Sequence, residues 1–581
     1  MNWKISSPDP NIETFSQEIS LHPAVASVLL NRGFTDKDAA EKYLNISSKK
    51  LPDAYLINDF EKALALLSDA VKKGKNIYIY GDYDADGVMS TVILYRALCE
   101  LGADVHFYVP HRIYDGYGLS TDAVERIAGE GCEMLITCDN GIAAADEIKL
   151  AKNLGMQVII LDHHEPIIEN GSQILPPADA VVDCKRLDNT YPFRDMCAGG
   201  LCYRFVKEFY KYINQKFTLD RELITFAGIA TVCDIVSLRS DNRIIVKNAI
   251  YLLNTDVRNL GLKALLALLV RENGKVTTTT VGFNIGPCIN AVGRLEAASE
   301  AVKLFITNDL QTAEEYAALL VQKNAERKEI TAAAAKKLMT EADLSLAVQV
   351  LYAPDAHESV AGLIASRIKE KFYRPTLVIT DAEVGCKGSG RSVEEYDMYG
   401  KMSVHRDLFT KFGGHAMACG FSIPRENIDK LRTALNETCG LDPNLLKPSL
   451  KIDYCLPFDE LNIDLAYQLD KLEPFGKDNE KPYFCTYSVN LCSVRFVGQQ
   501  KNTVQLAFSN RTGKQVRGII FNGTDMIKDL LTKNQKANYI DPLENGSTLK
   551  MNLTVDIAYS IDINTYKGVD YLQLNIADIL Y

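Results

Sequence analysis

The sequence predicts a multidomain α/β protein: a parallel-sheet domain, a long connecting helix, a second α/β domain and a C-terminal β-barrel. Three observations predict it. The chain has 581 residues, well beyond the usual size of one domain. From Asn76, apolar strand-like runs that end in polar residues alternate with helical stretches, the pattern of a parallel sheet with helices on its faces. From about Leu450 the helical stretches give way to several short strands, as in a small barrel.

Residues 1–70 read as a helical N-terminal region, with "HPAVASVLLNRGF" at its centre. Residues 71–310 hold the strand–helix alternation, in which "NIYIYGDYDADG", "ADVHFYVPHR", "EMLITCDNG" and "QVIILDHHE" are the strands. Residues 311–345 form the connecting helix, whose "AEEYAALLVQKNAERKEITAAAAKKL" keeps a helical rhythm after a capping box of Thr312 and Glu315. Residues 346–445 begin with "AVQVLYAPD" and form the second α/β domain; residues 446–581 form the barrel.

The totals exclude some classes. No apolar run approaches a membrane span, and the start lacks the basic-then-apolar order of a signal peptide. The 14 cysteines contain no C-x-x-C pair, which argues against a zinc ribbon and fits a reducing cytoplasm. The net charge of −11 weighs against nucleic acid, except that acids holding divalent cations are neutralised by them.

The acids gather where a ligand is expected. Ligands of parallel sheets lie beyond the carboxyl ends of the strands, and Asp82, Asp84, Asp86, Asp139, Asp162, His163 and His164 all fall there. If strand conformation persisted through "DYDAD", its three carboxylates would share one side and repel, which divalent cations relieve. Gly87 then turns the chain into a helix. By itself this motif fits equally a strand-end turn whose aspartates cap a helix. "LDHHE" adds imidazole nitrogen, which suits Mn²⁺ better than Mg²⁺. Asp234 lies inside the apolar "ATVCDIVSL", where an unpartnered carboxylate is costly and metal ligation or a cap would explain it. Together these residues make a two-metal site for hydrolysis of a phosphodiester or phosphoanhydride.

"GDYDADG", "CDNG", "LDHHE" and "TVCDIVSL" stand in the order and context of the DHH phosphoesterase superfamily. "VPHRIYDGYGLS", "GPCINAVGRLEAA", "HESVAGLIASRIKEKFYRPTLVI", "GSGRS", "KFGGHAMACGF", "LEPFGKDNEKPYF" and "INTYKGVDYLQLNIADI" resemble its RecJ family over nearly the whole chain. Two departures stand out: Cys288 where relatives often carry a basic residue, and no tryptophan before His357.

The resemblance implies a DHH catalytic domain, a DHH-associated substrate-binding domain and an OB-fold DNA-binding domain at the C-terminal end. It implies a single-strand-specific 5′-to-3′ DNA exonuclease that releases 5′-mononucleotides in recombination and repair, with Mn²⁺ or Mg²⁺ as two ions. The implied metal set is Asp82, Asp84, Asp86, Asp139, His163 and Asp234, with Asp139 bridging. His164 either ligates or acts at the scissile phosphate, and Asp162 orients its neighbours. Arg112, Asn290, Arg294, His357, Ser389, Arg391, Ser392 and His415 are the implied phosphate and DNA contacts. Tyr114 and Tyr117 are candidates to stack on bases or to pack in the core. Arg495, Lys501, Lys514 and Arg517 are candidate strand contacts or plain surface charge. Single-stranded DNA is the implied substrate, a helicase and a single-strand-binding protein the implied partners. The competing readings are a DHH phosphodiesterase for short oligonucleotides or cyclic dinucleotides, and a non-catalytic single-strand-binding scaffold.

Overall fold

The computed structural model describes residues 1–46, 51–112, 115–116, 118–272, 274–382, 385–443 and 446–581. The chain divides into two compact units. One is continuous, Ser48–Lys447; the other joins Met1–Ser47 to Pro448–Tyr581.

The continuous unit is built on a five-stranded sheet, all parallel, in the spatial order Val105–Tyr108, Ile77–Tyr80, Met134–Cys138, Gln157–Asp162, Ala180–Asp183. Ile77, Tyr78, Ile79 and Tyr80 are all buried, as both faces of a parallel sheet require. The helices Ala85–Glu100, Ala198–Tyr212 and Asp220–Cys233 pack on one another in the same core as this sheet. The strand order reverses between Ile77–Tyr80 and Met134–Cys138, so the loops after these two strands diverge and leave a crevice. Asp82 and Asp139 follow those two strands.

The long helix runs from Leu310 to Glu341. Its cap is Asp309, which accepts from the Thr312 amide at 2.8 Å, so the helix starts earlier than the expected Thr312 box. The second sheet has the order Lys411–His415, Ala418–Ile423, Cys386–Arg391, Thr376–Asp381, Gln349–Tyr352. Only its Gln349–Tyr352 and Thr376–Asp381 pair is parallel. The Ala361–Phe372 helix packs on it.

The other unit carries a five-stranded closed barrel. Phe484–Val497 pairs with Thr503–Ser509 on one side and with Thr548–Tyr566 on the other, closing the circuit through Gln515–Ile520 and Val569–Leu580. The N-terminal segment belongs here. Asn2–Ile5 pairs in parallel with Ser449–Ile452, and Trp3 donates its indole N–H to Asp578 at 2.9 Å. Val25, Val28 and Leu29 share one core with Leu456, Leu461 and the barrel's Val489 and Leu491. Tyr43 and Arg32 both bond the side chain of Asn479. No described helix is long and apolar enough to cross a membrane.

Candidate metal centre and anion cavity

The acidic motif is gathered by a turn, not by a strand. The strand ends at Tyr80; Asp82 lies in the loop, Asp84 is the N-cap of the Ala85–Glu100 helix, and Asp86 lies in its first turn. Of the two readings of the motif, the strand-end turn with a capping aspartate is the one formed, and a helix start after Tyr83 brings the three carboxylates together. Asp84 accepts from the amides of Asp86 and Gly87 at 2.9 and 3.2 Å. Gly87 is helical and takes no special turn. Its missing Cβ would lie 2.5 Å from the Asp82 backbone nitrogen and oxygen, so it admits the Asp82 backbone against the helix.

Asp86 is held from the other side by the Ala198 and Gly199 amides, which donate at 2.9 and 2.7 Å. Asp139 follows the third strand at φ +64°, a left-handed conformation that aspartate tolerates better than most side chains. His163 then touches three acids: Nε2 lies 3.1 Å from Asp139 and 3.6 Å from Asp86, and Nδ1 lies 3.7 Å from Asp234. Asp234 caps the C-terminus of the Asp220–Cys233 helix. Three overlapping groups have ligand atoms within 4.8 Å of one another: Asp139, His163 and His164; Asp86, His163 and Asp234; Asp82, Asp84 and Asp139.

Burial and mutual repulsion set the electrostatics of this cluster. Burial first, and Asp84 second, push Asp82 up to about 8 and Asp86 up to about 7. Burial with Asp86 and Asp84 pushes Asp234 up to about 8, and burial with the same two acids and Asp82 drives Asp139 well above the carboxylate range. Burial and the neighbouring His164 charge push His163 down to about 3, leaving a neutral imidazole suited to ligation. Asp82 Oδ1, Asp234 Oδ2 and His163 Nδ1 are buried without hydrogen-bond partners. Orphaned acceptors facing one another among repelling carboxylates fit divalent cations, and oxygen with one or two imidazoles fits Mn²⁺ or Mg²⁺.

Asp162 and His164 behave differently. Burial opposes ionisation of Asp162, yet the His164 hydrogen bond, both histidine charges and the Ile142 amide hold it down at about 2. Desolvation lowers His164, and the 2.8 Å bond to Asp162 with the acids around it outweighs that, raising it to about 9. Asp162 also accepts from the His163 and Ile142 amides at 2.7 and 2.9 Å, so it fixes both histidines and the loop after Asp139.

A cavity of about 480 Å³ opens beside the acidic loop, and Tyr83, between Asp82 and Asp84, is part of its wall. Arg112, Arg294, Ser389 and Arg391 line it, with Lys387 and Lys411. Arg391 donates to Ser389 Oγ at 2.9 Å, and Arg294 donates to the Ser359 carbonyl. The Ala361–Phe372 helix presents its N-terminal Ala361, Gly362 and Leu363 to the same space, with no side-chain cap. A Cβ at Gly362 would lie 2.6 Å from Arg391 and 2.9 Å from Ser389. Burial first, and the neighbouring arginines second, lower Arg294 to about 10.

The remaining expected contacts are scattered. Asn290 lies on the same helix as Arg294, Gly286–Leu295, with Oδ1 buried and unpartnered. His357 is exposed and pairs through Nδ1 with Ser359 Oγ at 2.7 Å, beside the cavity wall. His415 is exposed at the end of its strand, outside the cavity lining. Ser392, just past the strand's end at Arg391, is buried, donates to the Tyr396 carbonyl at 2.6 Å and lies outside the cavity lining. Tyr114 and Tyr117 lie outside the described residues. Cys288 is buried and accepts from Asn324 at 3.3 Å. In the barrel unit, Lys501 and Lys514 donate to the Glu544 and Asp459 carbonyls, while Arg495 and Arg517 stand on strands.

The sequence reading missed Asp183, Lys387, Lys411 and Gly362. Asp183 ends the fifth strand opposite Asp162, buried, with Oδ2 unpartnered. Its signal was the strand end "AVVD", the same form as "IILD".

Family descriptions match in order along the chain: "DHH family, N-terminal domain" over residues 76–231, "DHHA1 domain" over 343–440 and "RecJ OB domain" over 452–578. A Bacillus subtilis protein named single-stranded-DNA-specific exonuclease RecJ is 34% identical over 522 residues, 88% of this chain and 65% of that protein's length. A Salmonella typhimurium protein of the same name is 30% identical over 594 residues, 98% of this chain and 97% of its own. The crystal structure of Thermus thermophilus RecJ in complex with Mn²⁺ superposes with a TM-score of 0.80 at 25% identity, over 100% of this chain and 79% of that one. With an acidic, histidine-bearing metal centre, an arginine-lined cavity and three matching domains in one order, the chain belongs to the RecJ family of the DHH phosphoesterases.

Proposed function

We propose that the protein is a metal-dependent, single-stranded-DNA-specific exonuclease that removes 5′-mononucleotides in the 5′-to-3′ direction, in recombination and repair. One observation carries this reading: Tyr83 belongs both to the loop of Asp82 and Asp84 and to the wall of the arginine cavity. A hydrolytic centre that opens onto an anion cavity suits a strand end whose terminal phosphate is gripped while the next phosphodiester is cut.

Asp82, Asp84, Asp86, Asp139, His163 and Asp234 would hold Mn²⁺ or Mg²⁺, as two ions. Such ions, when bound, supply an activated water and neutralise charge on the phosphate. His164, raised by its bond to Asp162, would donate to a phosphate oxygen. Arg391, Ser389, Arg294 and Arg112 hold the 5′ phosphate; the guanidinium forks suit two phosphate oxygens at once. The barrel adds affinity for the strand. The reading carries with it a cytoplasmic location, and a helicase and a single-strand-binding protein as the partners that would supply single strands.

The test uses Mn²⁺ and two single strands labelled at opposite ends, with matched duplex and Asp139→Ala as controls. The expected result is immediate release of 5′-labelled mononucleotide, gradual shortening of the 3′-labelled strand, intact duplex and an inactive variant. Binding of long strands without cleavage would favour the scaffold, and cleavage of di- to tetranucleotides alone would favour an oligonucleotide phosphodiesterase.

A further inference from the structure

The second sheet carries a basic row beside the arginines of the cavity. Lys387 lies opposite Ser422 in one ladder, and Ser422 lies opposite Lys411 in the next, so the three stand abreast on neighbouring strands. All three line the cavity. Ser389, Gly420 and Gly413 form the next row on the same face, and Arg391 belongs to the row after that. The middle row is almost bare: a Cβ at Gly413 or at Gly420 would meet nothing within 4 Å. An open lane therefore joins the arginine end of the cavity to the lysine end. Lys387 and Arg391 are four residues apart on one strand, about 13 Å.

The arginine end is the one beside the metal centre. Arg112 lies over the Tyr83 ring at 4.8 Å. Burial first, and Arg112 among the neighbouring charges, lower both Arg294 and Arg391. The three guanidiniums thus gather where Tyr83 forms the wall, next to Asp82 and Asp84. The lysine row lies beyond Ser389, two rows further along the strand. Lys387 pairs there with Glu358 at 2.9 Å, and Lys411 is exposed and has no ion-pair partner among the described residues.

The cavity holds more positive charge than a monophosphate end needs. Five cations of its lining, Arg112, Arg294, Lys387, Arg391 and Lys411, face one carboxylate, Glu358. A terminal monophosphate brings about two negative charges, which the arginine end already meets. Two lysines flanking a serine hydroxyl, about 10 Å apart across two ladder spacings, are left for a further phosphoryl group. An uncharged nucleobase would need neither lysine, and the next phosphate on the 3′ side runs the other way, toward the acids.

We propose that the lysine row makes this cavity a site for a linear polyphosphate, so that the protein accepts strands whose 5′ end carries a di- or triphosphate. This rests on the exonuclease reading above and extends its substrate class. The α-phosphoryl group sits at Arg294, Arg391 and Ser389, and the β and γ groups follow the bare lane to Ser422, Lys387 and Lys411. The bond cut is the same. Water adds to the phosphorus of the first phosphodiester, the 3′ oxygen of the terminal nucleotide leaves with a proton, and a nucleoside di- or triphosphate is released in place of a monophosphate.

The experiment compares three single strands that differ only in a 5′ hydroxyl, monophosphate or triphosphate. In excess Mn²⁺, kcat/KM is measured for the native protein, Lys411→Ala and Lys411→Arg. The native protein is expected to cut the triphosphate strand at least as well as the monophosphate strand, with nucleoside triphosphate as the first product. Lys411→Ala is expected to lower the triphosphate-to-monophosphate ratio about tenfold, the worth of one charged hydrogen bond, and Lys411→Arg to keep it. Rejection of the triphosphate strand by the native protein overturns the proposal, and so does a Lys411→Ala ratio equal to the native one. A second arm asks whether a free polyphosphate is held as well. Inorganic tripolyphosphate is added to the metal-free protein carrying a labelled strand. It is expected to displace the triphosphate strand at concentrations that leave the hydroxyl strand bound; equal displacement of both would mark a general polyanion effect and overturn the site. If the native protein cuts none of the strands, the exonuclease reading fails, and the displacement arm still decides the site.

Discussion

Asp139 shows how one residue's backbone decides a site. Its left-handed conformation turns the carboxylate back into the crevice, onto His163. The charges around it set a testable linkage. Without metal, Asp82, Asp86 and Asp234 have pKa values raised to about 8, 7 and 8, above their unfolded values. A carboxyl raised on folding contributes stability that is full below its unfolded pKa and lost as pH rises through its folded pKa. The metal-free protein is therefore expected to lose stability between pH 5 and pH 8, and Mn²⁺ should raise Tm more at pH 8 than at pH 5.5, with protons released on binding. Calorimetry at both pH values checks this; an equal shift would count against the cluster as the binding site. Arg391→Ala should remove the preference for a 5′-phosphate over a 5′-hydroxyl end, a loss of roughly 10- to 100-fold by the usual worth of a charged hydrogen bond, read from paired substrates. The acids and histidines were legible in the sequence because strand-end polar residues in a parallel sheet have one place to go. Ser392 is buried against the Tyr396 carbonyl and outside the cavity lining, because a motif names neighbours and successive residues of an extended chain face opposite sides.

At the scale of the element, the start of the Ala85–Glu100 helix does the most for the site. It converts a run of aspartates into a cap, a first-turn carboxylate and a loop carboxylate. Gly87 is required there by Asp82, whose backbone occupies the space of a Cβ. Gly87→Ala is expected to destabilise the protein by about 1–3 kcal/mol and to weaken Mn²⁺ binding, measured by denaturant melts and metal titration. Retention of both would show that the loop can move away at little cost. Strands and the long helix were legible from apolar periodicity. The acidic loop was not, because D-x-D-x-D has the same letters in an extended strand as in a helix start, and only the packing of Gly87 separates them. The first residue of the long helix was missed for a related reason: Asp309 and Thr312 both offer caps, and the chain uses the earlier one.

Across the whole molecule, the unit of Met1–Ser47 and Pro448–Tyr581 is discontinuous in sequence. Local patterning suggested a helical segment at the start but carries no mark of a partner hundreds of residues away. Trp3 is the chain's single tryptophan, and its indole is bonded within this unit. Its fluorescence should report the melting of the barrel unit alone, while Mn²⁺ shifts the transition seen by circular dichroism and leaves the Trp3 transition in place; a joint shift would show the two units melting as one. The parallel pairing of Asn2–Ile5 with Ser449–Ile452 also sets a timetable for synthesis. The first strand emerges about 450 residues before its partner, roughly 20–90 s at ordinary elongation rates. Through that interval Val25, Val28 and Leu29 have no core to enter, while the intervening unit can already close on itself. The nascent chain thus folds from its middle outward, and its opening segment is the part a ribosome-bound chaperone would have to shield.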